Sequence, residues 1–310
     1  MEAAFTDDLR FTDSGRVVAI GSRHRESAQR FAARFGIPNC HGSYQELVTD
    51  PDVDVLYVAT PHPVHYANAL LALHAGKPVL VEKAFTMNAA EAQDLVATAR
   101  TNGLFLMEAM WTRLLPHVIE IRRRIADGSL GAIVSVSADH GQWFPRDAHS
   151  RLFDPDLGGG ALLDLGVYPV SFASMILGRP DQMMALITPA FTGVDGQTSM
   201  LLGYASGAQA ILTCTSAARS PTRAAIVGTD GRIEIDSGFF APTSFTFIPR
   251  EGLPSRFAQP HPGRGLWHEA DEVARCLQAG LLESPLMPLD ESISIMETMD
   301  AVLAGAIRTP

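Results

Sequence analysis

The chain has 310 residues, is 46% hydrophobic and 19% charged, and carries a formal net charge of -10 at pH 7. That length suits two domains or one large one with an ample core. The acidic balance excludes nucleic acid and anionic membranes as partners, since both call for a basic surface, although one arginine and a few backbone amides can still hold a cofactor phosphate. Cys40, Cys214 and Cys276 have no paired spacing, so neither a disulfide framework nor a cysteine zinc site is implied. No apolar run reads as the roughly 18 residues of a membrane span and no signal peptide opens the chain, so the expected location is cytoplasmic.

In chain order, the first third alternates strand and helix. An apolar strand over 17–20 ends at Gly21-Ser22-Arg23, and a helix over 26–35 follows, stopped by Gly36. Ser43, with Glu46 three residues on, caps a short helix to Val48 that Asp50-Pro51 breaks. A strand over 53–59 ends in Thr60-Pro61, and a helix over 65–75 stops at Gly76. The next strand starts at Val79 and ends abruptly on Glu82 and Lys83. Asn88 caps a helix to Arg100, closed by Gly103, and a strand over 104–107 completes the run. Such alternation makes βαβ units and a parallel sheet.

After Pro116 the pattern changes. A helix over 117–126 and a strand over 133–138 lead to strands over 182–190, 198–205, 208–216, 223–228 and 232–236. Ser206-Gly207 and Asp230-Gly231 are hairpin turns, so these strands build an antiparallel sheet. Helices over 267–279 and 290–307 close the chain, and the Pro- and Gly-rich stretch 250–265 reads as a mobile loop. The expected fold is α/β: a Rossmann-like dinucleotide-binding domain over 1–116, then a C-terminal α+β domain over 117–310 with an open, mostly antiparallel sheet.

Several residues stand where chemistry is done. Ligands of open α/β sheets sit at the carboxyl ends of strands, which places Glu82 and Lys83, with desolvation available to tune the lysine. At the end of the second strand of such a sheet an acid reads the ribose of NAD and an arginine the 2′-phosphate of NADP; Ser22 and Arg23 stand there, favouring NADP, with NAD still possible. Thr60-Pro61-His62-Pro63-Val64-His65 tops a strand and opens a helix whose amides can hold phosphate or ribose oxygens. His62 and His65 lack a third ligand, so no metal is expected. The glycines at 158–160 follow no apolar strand, which makes a phosphate loop a poor reading. Asp164 and Tyr168 share a helical face, and Pro169 should distort the helix just after them. Beside a lysine and a carboxylate, Tyr168 becomes a candidate general acid.

Ser22-Arg23, the Ala-Thr-Pro turn, Ala-Gly-Lys-Pro-Val-Leu-Val-Glu-Lys up to Lys83 and Gly-Gly-Gly-Ala-Leu-Leu-Asp-Leu-Gly-Val-Tyr up to Tyr168 together resemble the Gfo/Idh/MocA oxidoreductase family. Within it the chain is most similar to the dihydrodiol dehydrogenase and NADP-dependent xylose dehydrogenase branch. The resemblance implies hydride transfer between NADP and a hydroxyl or carbonyl carbon of a sugar, polyol or cyclic diol. It implies a lysine at Lys83 that contacts nicotinamide and substrate, catalytic partners at Asp164 and Tyr168, and a cofactor-lining segment that includes Trp111 and Arg113. It also implies a homo-oligomer built through the C-terminal sheet. The alternative is a non-catalytic ligand sensor or a degenerate paralogue on the same scaffold, which need not keep Lys83, Asp164 and Tyr168 together.

Two departures carry expectations of their own. Ala84 stands where the family has proline, which should loosen that loop. The family's first strand and its Gly-x-Gly-x-x-Gly turn have no counterpart, because the chain opens within what resembles the first helix, with Phe5 and Leu9 on one face. The expectation is an apolar strand and a glycine-rich turn encoded upstream, and poor solubility and weak NADP binding without them.

Overall fold

The computed structural model describes residues 1–305 and the backbone of 307–308. Its first half runs α1 (Glu2–Asp8), β1 (Ala19–Gly21), α2 (Arg25–Phe35), β2 (Asn39–His41), α3 (Tyr44–Val48), β3 (Leu56–Val58), α4 (His65–His74), β4 (Val79–Glu82), α5 (Ala89–Asn102) and β5 (Leu106–Ala109). Helix ends follow the local signals: the side chains of Ser43 and Asn88 accept from the amides of Glu46 and Glu91. Gly36 and Gly103 stop α2 and α5 at φ 69° and 63°, a region other residues enter only at a cost. β2, made of Asn-Cys-His, has no apolar pattern and is invisible to periodicity.

All pairings in this half are parallel. β4 lies between β3 and β5, its four residues buried, with Val81 opposite Glu108 and Glu82 opposite Ala109. β1 and β2 form a separate pair, and among the described residues no strand joins β1 to β3. The parallel sheet is therefore in two pieces at the place where a central strand is expected. At its edge, Phe5 of α1 stacks on Tyr57 of β3 with ring centres 4.2 Å apart.

The second half comprises α6 (Pro116–Ala126), β6 (Ile133–Gly141), α7 (Val167–Leu177), β7 (Gln182–Pro189), β8 (Asp195–Gly203), β9 (Gln209–Thr215), β10 (Ala224–Gly228), β11 (Gly231–Ile235), β12 (Phe245–Pro249), β13 (Ser255–Phe257), α8 (Trp267–Gln278), α9 (Leu289–Gly305) and β14 (Ile307–Arg308). Its strands form one open sheet in the order β13-β12-β11-β10-β6-β9-β8-β7-β14, antiparallel except where β6 meets β9 and β7 meets β14. One face packs on α7; the other is open. The expectation of a mobile loop over 250–265 needs correction, since β13 falls inside it and Phe257 stacks on Phe245 at 5.2 Å. The helical stretch Pro155–Leu177 is apolar and long enough to cross a membrane by composition, contrary to the reading above, but most of it is buried in the core. α9 packs on α5 and β5 as well as on α7 and β7, so a division at 116/117 separates the sheets while the last helix serves both halves.

Candidate active site

β4 delivers the lysine. Its apolar residues fix the strand between β3 and β5, and the chain leaves the sheet at Glu82 and Lys83. The peptide between Lys83 and Ala84 is cis. Ala84 and Phe85 are fully buried, and His65 Nδ1 meets the Ala84 carbonyl at 3.0 Å, so the loop is packed rather than loosened by the missing proline. His62 Nε2 meets the Lys83 carbonyl at 3.2 Å. Glu82 accepts from the Tyr57 hydroxyl and, at 3.2 Å, from the Lys83 amide.

The second element is a helix with one widened turn. Residues Leu162–Gly166 form a π-helical turn, and α7 continues from Val167 through Pro169. The distortion thus precedes Tyr168 instead of following it. Proline has no N–H to offer the carbonyls four and five residues back, those of Leu165 and Asp164. Both are met from outside the helix: Lys83 Nζ donates to the Asp164 carbonyl at 2.8 Å, and His140 Nδ1 lies 3.2 Å from that of Leu165. Lys83 Nζ also reaches Asp164 Oδ1 at 3.4 Å and stands 4.6 Å from the centre of the Tyr168 ring. The Tyr168 hydroxyl accepts from Trp111 Nε1 at 3.2 Å, so its own proton is free for a ligand.

The electrostatics follow from burial and this spacing. Burial works against the Lys83 ammonium, yet Tyr168, Asp164 and Glu82 together hold its pKa above the ordinary value. Desolvation, which the sequence offers as a way to tune this lysine, is the largest influence but is outweighed by these partners. Burial opposes the Asp164 carboxylate too, but Lys83, Arg151 and His62 hold its pKa well below the usual range. Burial pushes the Tyr168 phenol up, with Lys83 and the Trp111 N–H pulling the other way. The resting tyrosine is therefore a phenol beside a fixed ammonium, arranged to release its proton when negative charge gathers on a nearby oxygen.

The remaining expected residues divide. Ser22 and exposed Arg23 end β1, the Ser22 amide donating to the His41 carbonyl at 3.3 Å. Thr60 accepts from Asn68 at 3.1 Å, beside exposed Pro61 at the end of β3. His65 has both ring nitrogens on carbonyls, those of Ala84 and Thr60, which commits it to tying this turn to the lysine loop. Arg113 is buried and engaged elsewhere: it donates to Ser171 Oγ at 2.9 Å and to Glu291 at 2.7 Å, bracing the two halves. Ser22, Arg23, Thr60 and Pro61 thus stand just past the carboxyl ends of β1 and β3, and among the described residues no glycine-rich turn stands between those two strands.

Sequence reasoning missed His140 and Arg151. The His140 ring packs on Tyr168 at 5.2 Å and Phe240 at 4.3 Å, and Gln142 Nε2 lies 2.9 Å from its Nε2. The alternation Val136, Ala138, His140 would have marked it as inward-facing had the strand been read far enough. Arg151 Nη2 donates to Asp164 Oδ1 at 3.0 Å from a loop with no pattern.

Models of the oxidoreductase family with an NAD-binding Rossmann fold and of the GFO/IDH/MocA C-terminal domain match residues 2–110 and 118–234. The chain belongs to the Gfo/Idh/MocA family of oxidoreductases. It is 41% identical to the trans-1,2-dihydrobenzene-1,2-diol dehydrogenase of Xenopus tropicalis, over 93% of this chain and 89% of that one. The Bos taurus protein of the same name is 39% identical over 93% and 88%. Among solved structures, the 3-ketoreductase KijD10 from Actinomadura kijaniata, crystallised with NADP and TDP-benzene, superposes with a TM-score of 0.85 at 28% identity, covering 99% of this chain and 95% of that one.

Burial, the largest influence, holds the His140 imidazole down to about 4, with the Lys83 charge acting in the same direction. Nuclear magnetic resonance titration of the ring should show it neutral throughout the range from pH 5 to 8; a midpoint at the ordinary value near about 6.5 would contradict this packing.

Proposed function

We propose that this protein is a cytoplasmic NADP-dependent dehydrogenase acting on a hydroxyl-bearing carbon of a sugar, polyol or cyclic diol. The observation that carries the reading is Lys83 Nζ fixed on Asp164 and 4.6 Å from the Tyr168 ring, with the Tyr168 proton uncommitted. In carbonyl reduction Tyr168 gives its proton to the substrate oxygen; in alcohol oxidation it takes that proton back. Lys83 favours the charged form of either oxygen, and Asp164 holds the lysine in place. NADP, when bound, supplies the hydride acceptor or donor. Arg23 and Ser22 would hold its adenosine end, Thr60 and Pro61 the ribose and phosphate region, and Glu82, Lys83 and Trp111 the nicotinamide end. The relatives' names support a vicinal diol, and the free cysteines Cys40, Cys214 and Cys276 suit a reducing compartment.

Tyr168→Phe and Lys83→Ala should each lower kcat by about 10² to 10⁴, the usual range for a proton-transferring group and its support. Turnover of trans-1,2-dihydrobenzene-1,2-diol or a polyol panel is followed by absorbance of reduced cofactor. Wild-type rates in Tyr168→Phe would sink the reading, and a wild-type protein that binds NADP without turnover would favour the sensor.

Cofactor choice turns on one side chain. Arg23→Ala should weaken NADP binding about ten- to a hundredfold and leave NAD nearly unchanged, the signature of one charge-assisted hydrogen bond to the 2′-phosphate. Equal losses in titration calorimetry would remove Arg23 from that role.

The open face of the second sheet supports self-association. Met184, Leu201 and Ile211 stand in register on neighbouring strands, 68%, 41% and 54% exposed. We propose a homo-oligomer through this face. Light scattering should find a dimer or larger, and Ile211→Glu should shift it toward monomer; a monomeric wild type at micromolar concentration contradicts the interface.

A further inference from the structure

The glycine run 158–160 serves packing. The amides of Gly159 and Gly160 donate to the carbonyls of Asp154 and Leu152, each at 2.9 Å. A Cβ on Gly159 would lie 2.8 Å from both of those oxygens, and one on Gly160, at φ 138°, would run into Asp195. Only glycine lets the loop after β6 lie directly on the start of the helix. Leu152 and Phe153 anchor that loop, both buried, the Phe153 ring 5.0 Å from Phe191. The result brings Arg151 to Asp164 Oδ1 at 3.0 Å, the same oxygen that Lys83 reaches at 3.4 Å.

We propose that Arg151 is a positioning residue for proton transfer, neutralising the Asp164 carboxylate so that the Lys83 charge acts on the Tyr168 hydroxyl. The proposal rests on Tyr168 as the proton-transferring group. At the phenol the Asp164 carboxylate opposes the field of Lys83 and takes back part of it. With Arg151 added, these three groups together carry one net positive charge, which favours tyrosinate. The other titratable groups facing Tyr168 are Glu82 from β4 and His140 from β6, while His62 faces Lys83 and Asp164. Burial keeps both imidazoles neutral, at about 3 for His62 and about 4 for His140, whereas Glu82, which accepts from Tyr57, opposes tyrosinate as Asp164 does. Arg151 is thus the cation that, beside Lys83, offsets the Asp164 carboxylate. Arg151 is 44% exposed, so solvent screens its field and the effect is modest.

The test is the Tyr168 ionisation midpoint, read twice. Ultraviolet difference titration compares each protein with its own Tyr168→Phe form, and the pH profile of kcat/KM follows oxidation of trans-1,2-dihydrobenzene-1,2-diol with NADP. Arg151→Met should raise the midpoint by about one unit and so lower kcat/KM about tenfold at fixed pH below it. Arg151→Lys should restore most of both. Arg146→Met, from the same loop but seated over Phe191 at 4.6 Å, should leave both unchanged. An unmoved midpoint in Arg151→Met overturns the proposal, as does a rise in KM alone, which would make Arg151 a substrate contact. If Tyr168→Phe turns over normally, the catalytic reading fails; if it is inactive and Arg151→Met titrates like wild type, only the role of Arg151 fails.

Discussion

The hydrogen bond from Lys83 Nζ to the Asp164 carbonyl runs from the end of a parallel strand to a helix of the other half of the molecule, and the site exists only while both keep their register. A buried ammonium is tolerable only with partners that replace water. Here they are a main-chain carbonyl, a carboxylate and the face of a phenol ring. That carbonyl belongs to the widened turn Leu162–Gly166, just before Pro169, so the helix defect and the lysine site share one turn.

Around that contact the molecule spends buried polar groups on holding its halves together. Arg113, nearly inaccessible, links the turn after β5 to Ser171 of α7 and to Glu291 of α9. Burial opposes the Glu291 carboxylate, but Arg113 brings its pKa below the ordinary value. Glu108, fully buried on β5 near Arg113, is pushed up to about 7 by burial, so it sits close to its protonation midpoint at neutral pH. Removing either end of the Arg113–Glu291 pair would strand the other charge, which is costlier than never having built the pair.

The catalytic candidates were legible because each has a local signal. An apolar run that stops on charges identifies Lys83, and a four-residue spacing in a helix pairs Asp164 with Tyr168. Pro169 announced a distorted helix, though its position was misplaced by a turn, since proline acts on the carbonyls before it. Arg113 shows the limit of such reading. Its segment marks it as cofactor-lining by resemblance, but burial and an acid from α9, more than 170 residues away, set its contacts. Arg151 left no trace, because its importance comes from a loop pressed onto a helix by glycines whose neighbours are unknown until the chain is folded.

By itself the sequence determined the alternation of strands and helices, the antiparallel character of the second half and the lysine, aspartate and tyrosine of the site. These rest on periodicity, caps and turns, which act over a few residues. Only the tertiary structure decided that α9 packs on both halves and that two cations share one Asp164 oxygen. Those outcomes depend on which surfaces meet and which charges lose their water, and neither is fixed by near neighbours in the chain.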